Sequence, residues 1–264
     1  ELDRRQRQMC IRDSINTDRS VSLELSWLLV FGGGFVGGFV SGLSGFGTGL
    51  AGMPLWLLAV HPVIAAQLAA FSAVISQAQT LGTVRYALSW SHLGPITLAG
   101  LLGVPIGVWL LPSIPIDAFK LGIGCTLIIF CLFLLVVPAD WRLKHRYRPI
   151  ELIMGFAAGF MGGLTGVPGP PVIMWGTVQN WTRQEKRALY QVFILVILFA
   201  MLAASAFNGL IDWRFLKGAL LVAPATILGA YLGAGVYKRV DDRRFDRIIL
   251  TILMLSGIGL VASR

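Results

Sequence analysis

Long uncharged stretches alternate with short charged clusters along the chain. Residues 25–84 contain no Asp, Glu, Lys or Arg, and further uncharged runs cover 86–116, 121–139, 152–182, 188–211, 218–237 and 248–263. A helix needs about 20 apolar residues to cross the hydrocarbon core of a bilayer. Segments of about ten residues with alternating hydrophobicity, typical of transmembrane barrels, are not seen. The pattern therefore predicts an all-α polytopic membrane protein embedded in a lipid bilayer.

The apolar runs divide into two kinds. Six segments are predicted to be full transmembrane helices: 62–84, 92–111, 117–137, 186–207, 214–237 and 245–262. Two other regions, 26–60 and 150–178, are too long for one straight crossing at about 1.5 Å per residue, and a glycine-rich string interrupts each of them. Each region is either one broken crossing or a re-entrant pair of passages that returns to its starting side.

The two glycine-rich strings indicate an internal duplication. The strings occupy 38–49 and 159–170, and at a shift of 121 residues five positions recur identically: Gly38, Phe39, Gly42, Leu43 and Gly45. Later matches, such as Gly103 with Gly229, drift to a shift of 126. We therefore predict a first membrane repeat over 25–140, a linker over 141–149 and a second membrane repeat over 150–264.

The distribution of basic residues predicts the orientation of the repeats. Cytoplasmic loops of membrane proteins carry an excess of Lys and Arg. We place the basic linker 142–148 in the cytoplasm. If each glycine-broken region makes two passages, 13 basic residues after residue 20 lie inside and four outside, whereas single crossings give seven inside and at least nine outside. The first count favours two inverted repeats, each with a glycine-broken re-entrant or half-helix pair plus three full transmembrane helices.

Composition excludes several classes of function. Hydrophobic residues make up 56% and charged residues 13% of the chain, and a soluble enzyme needs about twice that charge. The net charge of +9 comes from basic residues beside apolar helices, so we expect no nucleic-acid partner. The three cysteines have neither metal-site nor redox spacing, and no metal or cofactor is expected. We interpret the Arg-rich residues 1–24 as a leader that is disordered or non-native.

Glycine at the two breaks favours binding of an anion. Unpaired backbone groups at membrane depth are tolerated where they line a cavity or are buried in protein. The short helices that follow, about 49–59 and 169–178, would begin inside the membrane with free N–H groups and partial positive charge, with Thr48 and Gly169 as N-caps. Such helix ends bind anions without Lys or Arg. Paired broken segments in inverted repeats are typical of secondary transporters.

The sequence thus predicts one anion site near the midplane, where the two strings face each other. The predicted substrate-binding residues are Ser41, Gly42, Ser44, Gly45, Gly47, Thr48, Gly49, Gly163, Thr165, Gly166 and Gly169. Gln67, Gln191 and Arg85 are predicted gate or site-wall residues. A polar stripe on the helix 62–84, formed by Ser72, Ser76, Gln79, Thr80 and Thr83, either lines a water path or bonds to neighbouring helices. The alternative for any glycine here is close helix packing.

The two strings resemble those of the sulfite exporter TauE/SafE family, which includes proteins similar to 4-toluene sulfonate uptake permeases. The first string, from Gly38 to Gly49, fits the family's GxxSGxxGxGGG-like pattern except at Thr48, and the second has Gly162 in place of serine and two prolines after Gly169. The resemblance implies a multi-pass transporter of the bacterial inner membrane that exports sulfite or small organosulfur or sulfonate anions. The sulfur in the anion is implied by the resemblance alone.

Three other functions stay open on the sequence. A passive anion channel, or a transporter of a carboxylate without sulfur, would have the same composition. The string Gly42–Gly45 also has the GxSG form of the nucleophile motif of rhomboid intramembrane proteases. That chemistry needs a histidine base beside Ser44, and His61, His92 and His145 all lie near predicted helix ends or in a loop.

Overall fold

The chain forms a bundle of apolar helices. The structure, a computed structural model, describes residues 25–81, 90–137, 147–237, 251, 253–254 and 257–262. Its helices are α1 (Leu25–Ser44), α2 (Thr48–Ala59), α3 (Pro62–Leu81), α4 (Trp90–Leu110), α5 (Ile116–Val136), α6 (Arg148–Thr165), α7 (Gly169–Thr177), α8 (Arg183–Phe207), α9 (Trp213–Tyr237) and α10, described over 257–262. The predicted all-α fold is confirmed.

Five of the predicted spans correspond to observed helices. α3, α4, α5, α8 and α9 begin within three residues of their predicted starts. The predicted span 245–262 lies partly outside the described residues. The predicted leader 1–24, the gate residue Arg85 and most of the linker 141–149 also lie outside them.

The surface of the bundle suits a lipid environment. Among the residues that the structure describes, five helices are long and apolar enough to cross a membrane: α1, α4, α5, α8 and α9. Large apolar side chains such as Leu102 and Leu220 are exposed along them. Trp90 and Trp109 are exposed near the two ends of α4, about 28 Å apart along the helix axis, which is close to the thickness of the hydrocarbon core. Exposed tryptophans at both ends of a span are typical of the membrane interface.

The first glycine-broken region folds back on itself. The Trp56 indole Nε1 of α2 donates to the backbone oxygen of Val30 near the start of α1, at 3.0 Å. A Cβ on Gly52 would lie 2.8 Å from the oxygen of Gly33. Residue numbers fall along α1 as they rise along α2, so the two helices are antiparallel. The region is therefore a broken pair, a 20-residue helix followed by a 12-residue helix that returns along it.

Two helix pairs have closely similar contacts. α9 packs on α1, and α4 packs on α6, at positions four residues apart, with glycines on α1 and α6. The facing positions are Val222, Thr226 and Ala230 against Gly34, Gly38 and Gly42, and Ile96, Gly100 and Val104 against Gly155, Gly159 and Gly163. A Cβ on each glycine would lie within 3.2 Å of the backbone oxygen that faces it. The glycines of α1 and α6 are 121 positions apart, and the residues that they face on α9 and α4 are 126 positions apart. Each repeat therefore contributes an equivalent pair of helix surfaces to the contact with the other.

Candidate functional site

The two breaks in the helices are built alike. Residues 45–47 separate α1 from α2, and residues 166–168 separate α6 from α7, again at a shift of 121. Gly45 and Gly166 have φ angles of 79° and 70°. Their amides donate to the oxygens of Ser41 and Gly162, at 2.7 and 2.9 Å. Because the left-handed conformation favours glycine, the same residue ends the helix in both repeats.

The N-caps of the two short helices lie one residue before the predicted positions. Gly47, with φ 93°, is the N-cap of α2, and Pro168 is the N-cap of α7. The predicted N-caps Thr48 and Gly169 are therefore wrong, and both are the first residues of their helices. Neither cap position carries a side-chain hydrogen bond. The Thr48 hydroxyl is consequently not used to cap its own helix.

The fold brings the two breaks into contact. A Cβ on Gly49, at the start of α2, would lie 2.8 Å from Val167 Cγ2 and 3.4 Å from the backbone oxygen of Gly166. A small, partly open cavity of about 20 Å³ lies between the breaks. It is lined by Phe46, Gly47, Thr48, Gly49, Leu50, Ala73, Gln77, Gly166, Val167, Pro168, Gly169, Ile194 and Leu198. Both short helices thus point their N-termini at one cavity.

The walls of this cavity come from equivalent positions of the two repeats. Five pairs of lining residues differ by 121 positions: Phe46 and Val167, Gly47 and Pro168, Thr48 and Gly169, Ala73 and Ile194, Gln77 and Leu198. The cavity therefore lies between equivalent surfaces of the two repeats.

The two helix ends differ in their hydrogen-bond donors. In α2 the first helical bond of the backbone joins the amide of Ala51 to the oxygen of Gly47, so the amides of Thr48, Gly49 and Leu50 have no partner within the helix. In α7 the residues around the start are Pro168, Pro170 and Pro171, which carry no N–H. Gly169 is left as the donor there. The first repeat thus presents more free backbone N–H donors at the cavity than the second.

Five of the predicted binding residues line the cavity: Gly47, Thr48, Gly49, Gly166 and Gly169. Gly42 and Gly163 instead pack against α9 and α4, so they serve contacts between helices. Gly45 lies beside the Arg187 side chain, with the Nε atom 3.5 Å from where its Cβ would be. Ser41 is buried and does not line the cavity. The glycine strings thus combine a cavity wall with helix packing.

The predicted hydroxyl donors have different environments. The Ser44 hydroxyl lies 2.8 Å from the oxygen of Val40 and 2.6 Å from that of Phe46, and the Thr165 hydroxyl donates to Met161 at 2.8 Å. Both therefore bond locally to the backbone. Thr48 is 1% exposed, lines the cavity, and its Oγ1 has no hydrogen-bond partner among the described residues. A buried hydroxyl without a partner is costly unless a ligand satisfies it.

Two of the predicted gate residues, Gln67 and Gln191, do not line this cavity. Gln67 donates through Nε2 to the oxygen of Leu210, at 3.0 Å. Gln191 is 1% exposed, and its amide has no hydrogen-bond partner in the part of the chain that the structure describes. Neither side chain lines the cavity. A role in gating stays a prediction for both, and also for Arg85.

Sequence reasoning missed Gln77. It lies in α3, lines the cavity, and donates to the backbone oxygen of Gly45 at 3.4 Å. The predicted polar stripe passes beside it: Ser72 and Ser76 are buried, whereas Gln79 is exposed. Ala73, a small residue four positions before Gln77, lies on the same side of α3 and also lines the cavity. This spacing was the sequence feature that could have indicated Gln77.

Comparison with known proteins places the chain in a family. The family model described as Sulfite exporter TauE/SafE matches residues 30–260. The chain belongs to this family. The members of this family are membrane transporters, so membership gives no support to the protease alternative for Ser44.

One curated relative is a bacterial membrane protein. The "Probable membrane transporter protein YunE" of Bacillus subtilis (strain 168) is 21% identical over 161 residues, which cover 50% of this chain and 58% of the relative. The match thus spans less than two thirds of that protein. No solved structure matches the chain significantly.

Proposed function

We propose that this protein is a secondary transporter that exports sulfite or a small organosulfur anion, bound in the cavity between the two helix breaks. The observation that carries the proposal is the buried Thr48 hydroxyl, unpartnered at the start of α2 where the second break closes the cavity. The family supports a sulfur-containing anion.

The cavity can bind an anion without a cationic side chain. None of its lining residues is charged. The amides of Thr48, Gly49 and Leu50, the Thr48 hydroxyl and the amide of Gly169 supply donors, and the dipoles of α2 and α7 add partial positive charge. Binding by neutral donors leaves no fixed charge behind when the anion departs. This property suits a carrier that must release its substrate on the far side.

Contacts between equivalent helices support inverted repeats. Gly124 of α5 faces Val261 of α10, and Leu127 faces Gly257, so these two helices are antiparallel. Two equivalent helices that pack antiparallel are related by a twofold axis perpendicular to the helices. For helices that span a membrane, this axis lies in the membrane plane. A cavity on that axis is near the midplane, as alternating access by rocking repeats requires. We place the linker 142–148 in the cytoplasm of a bacterium and the chain in its inner membrane.

Solid-supported membrane electrophysiology on proteoliposomes tests the proposal. We expect saturable currents on addition of sulfite, thiosulfate or sulfoacetate, and smaller currents with sulfate and lactate. Absence of current with every sulfur anion, from protein that keeps its thermal unfolding transition, would contradict the proposal. Larger currents with lactate than with any sulfur anion would favour a carboxylate transporter.

A pair of glycine variants connects the currents to the cavity. A Cβ on Gly169 would meet Ile173 Cδ1 at 3.3 Å, so Gly169→Ala should fold and lower the current by narrowing the cavity. Gly122 has nothing within 4 Å of such a Cβ, and Gly122→Ala is the matched control. Equal currents from both variants would argue against this cavity as the binding site. Gly166 is unsuitable for the test, because its Cβ would overlap the oxygen of Ala66.

A further inference from the structure

The two helix breaks have equivalent neighbours that differ in chemistry. Gly45 lies beside Arg187 of α8, and Gly166 lies beside Ala66 of α3. The two glycines are 121 positions apart, and so are the two residues that they contact. The fold therefore makes the same contact twice, once from each repeat to the other. A charged side chain meets the first break, whereas backbone meets the second.

The second break is packed directly on the backbone of α3. A Cβ on Gly166 would overlap the backbone oxygen of Ala66 and would lie 3.1 Å from the amide nitrogen of Ala70. Contact this close leaves no room for a side chain or a water molecule between Gly166 and α3. The second break is therefore closed on this side.

The first break is packed less tightly on its equivalent helix. The three atoms nearest to a Cβ on Gly45 all belong to the guanidinium group of Arg187: Nε at 3.5 Å, Nη2 at 3.7 Å and Cζ at 3.8 Å. The backbone of α8 thus lies farther from this break than the backbone of α3 lies from the other. A guanidinium group stands where the second break has backbone contact.

Arg187 lies between the solvent and the wall of the cavity. It is exposed and follows the polar first turn of α8. Phe46 and Gly47, the next residues after Gly45, line the cavity. Gln77 also lines it and donates to the backbone oxygen of Gly45 at 3.4 Å. The guanidinium charge is therefore one residue away from the cavity wall.

The charged residues just before Arg187 are held in other contacts. The Glu185 carboxylate accepts from the amide and the hydroxyl of Thr182, both at 2.8 Å. Lys186 Nζ donates to the backbone oxygen of Thr177 at 3.2 Å, which fixes it at the end of α7. Of these three charges, the guanidinium group is the one that contacts the first break.

We infer that Arg187 attracts the transported anion to the mouth of the cavity beside the first break. An exposed positive charge raises the local concentration of anions, and its effect extends over about 10 Å at 0.1 M ionic strength. None of the residues that line the cavity is charged, so attraction and binding are carried by different groups. Arg187 is thus a positioning residue. This inference rests on the proposed function.

Removal of the charge tests the inference in proteoliposomes, with sulfite as the probe and the peak current as the measurement. Arg187→Gln should raise the half-maximal sulfite concentration about fourfold at about 20 mM salt and less than about twofold at about 300 mM, because salt screens the charge. The maximal current should stay the same. Arg187→Lys keeps the charge and should behave like the parent protein. Arg148→Gln removes an exposed charge at the start of α6 and should not shift the half-maximal concentration.

Two thiol reagents of opposite charge separate electrostatics from shape. In a variant without Cys10, Cys125 and Cys131, Arg187→Cys is treated with a cationic or an anionic methanethiosulfonate reagent of similar size. The cationic adduct should restore the half-maximal concentration of the parent protein. The anionic adduct should raise it beyond that of Arg187→Gln, because it repels the substrate. A role in packing alone would make the two adducts act alike.

The outcomes separate the inference from the proposed function. Equal half-maximal concentrations for the parent protein and Arg187→Gln at low salt would overturn the inference and leave the transporter intact. The inference would also fail if the two adducts acted alike, or if Arg148→Gln caused as large a shift. If Arg187→Gln loses its thermal unfolding transition, the comparison of the two adducts decides. Absence of current with sulfite, thiosulfate and sulfoacetate, from parent protein that unfolds normally, would overturn the proposed function itself.

Discussion

Thr48 is the residue on which the chemistry of the cavity depends most directly. It follows the left-handed Gly47, and its buried hydroxyl faces the cavity instead of capping α2. Ser44 and Thr165, which occupy equivalent places at the ends of α1 and α6, bond to backbone oxygens of their own segments. Residue type alone cannot separate these hydroxyls, because each could bond either to its own backbone or to a ligand.

Thr48→Val should weaken binding of all transported anions by about tenfold, because it removes one donor to a charged group and keeps the side-chain volume. The concentration dependence of the current measures the apparent affinity. Thr165→Val makes the same change at a hydroxyl that donates to Met161, and it should transport like the parent protein. Equal losses in both variants would contradict the assignment of Thr48.

At the scale of elements, glycine has two separate uses. At the breaks it provides left-handed turns and an open cavity wall, as at Gly47. Along α1 and α6 it lets another helix approach to backbone contact, as at Gly38 and Gly159. The sequence located the glycine-rich strings and the helix breaks correctly. It could not divide the strings between these uses, because the division depends on which helix packs against each face.

Gly38→Ala and Gly159→Ala should each lower the stability of the protein by about 1–3 kcal/mol or more, because the added methyl group would overlap the backbone of the facing helix. The midpoint of thermal unfolding in detergent measures the change. Gly122→Ala and Gly235→Ala are controls within helices, where nothing lies within 4 Å of the added carbon. These controls should be neutral or stabilising. A similar loss in all four variants would show that helix packing is not the cause.

At the scale of the molecule, the repeats exchange surfaces instead of forming two separate bundles. α1 of the first repeat packs on α9 of the second, and α6 of the second packs on α4 of the first. The cavity lies between these halves, with Thr48 and Gln77 contributed by one and Ile194 and Leu198 by the other. A movement of one repeat against the other would therefore change the cavity directly.

Inverted repeats predict that equivalent helices begin on opposite sides of the membrane. In a variant without Cys10, Cys125 and Cys131, we expect Leu25→Cys, at the start of α1, and Tyr147→Cys, beside the start of α6, to react with a membrane-impermeant thiol reagent from opposite sides. Both positions are exposed. Asn208→Cys, just before α9, should react from the same side as Leu25→Cys, because α9 runs parallel to α1. Reaction of Leu25→Cys and Tyr147→Cys from one side would indicate parallel repeats.

The sequence by itself determined the helices, the two breaks and the duplication. These features follow from local composition, since about 20 apolar residues without charge can cross a bilayer and glycine permits a left-handed turn. The tertiary structure decided which residues meet. It folded α2 back along α1, placed Gln77 and Leu198 in one cavity and left Gln67 and Gln191 outside it. Contacts between residues more than 100 positions apart depend on how helices pack, and hydrophobic periodicity within one helix does not specify its partner.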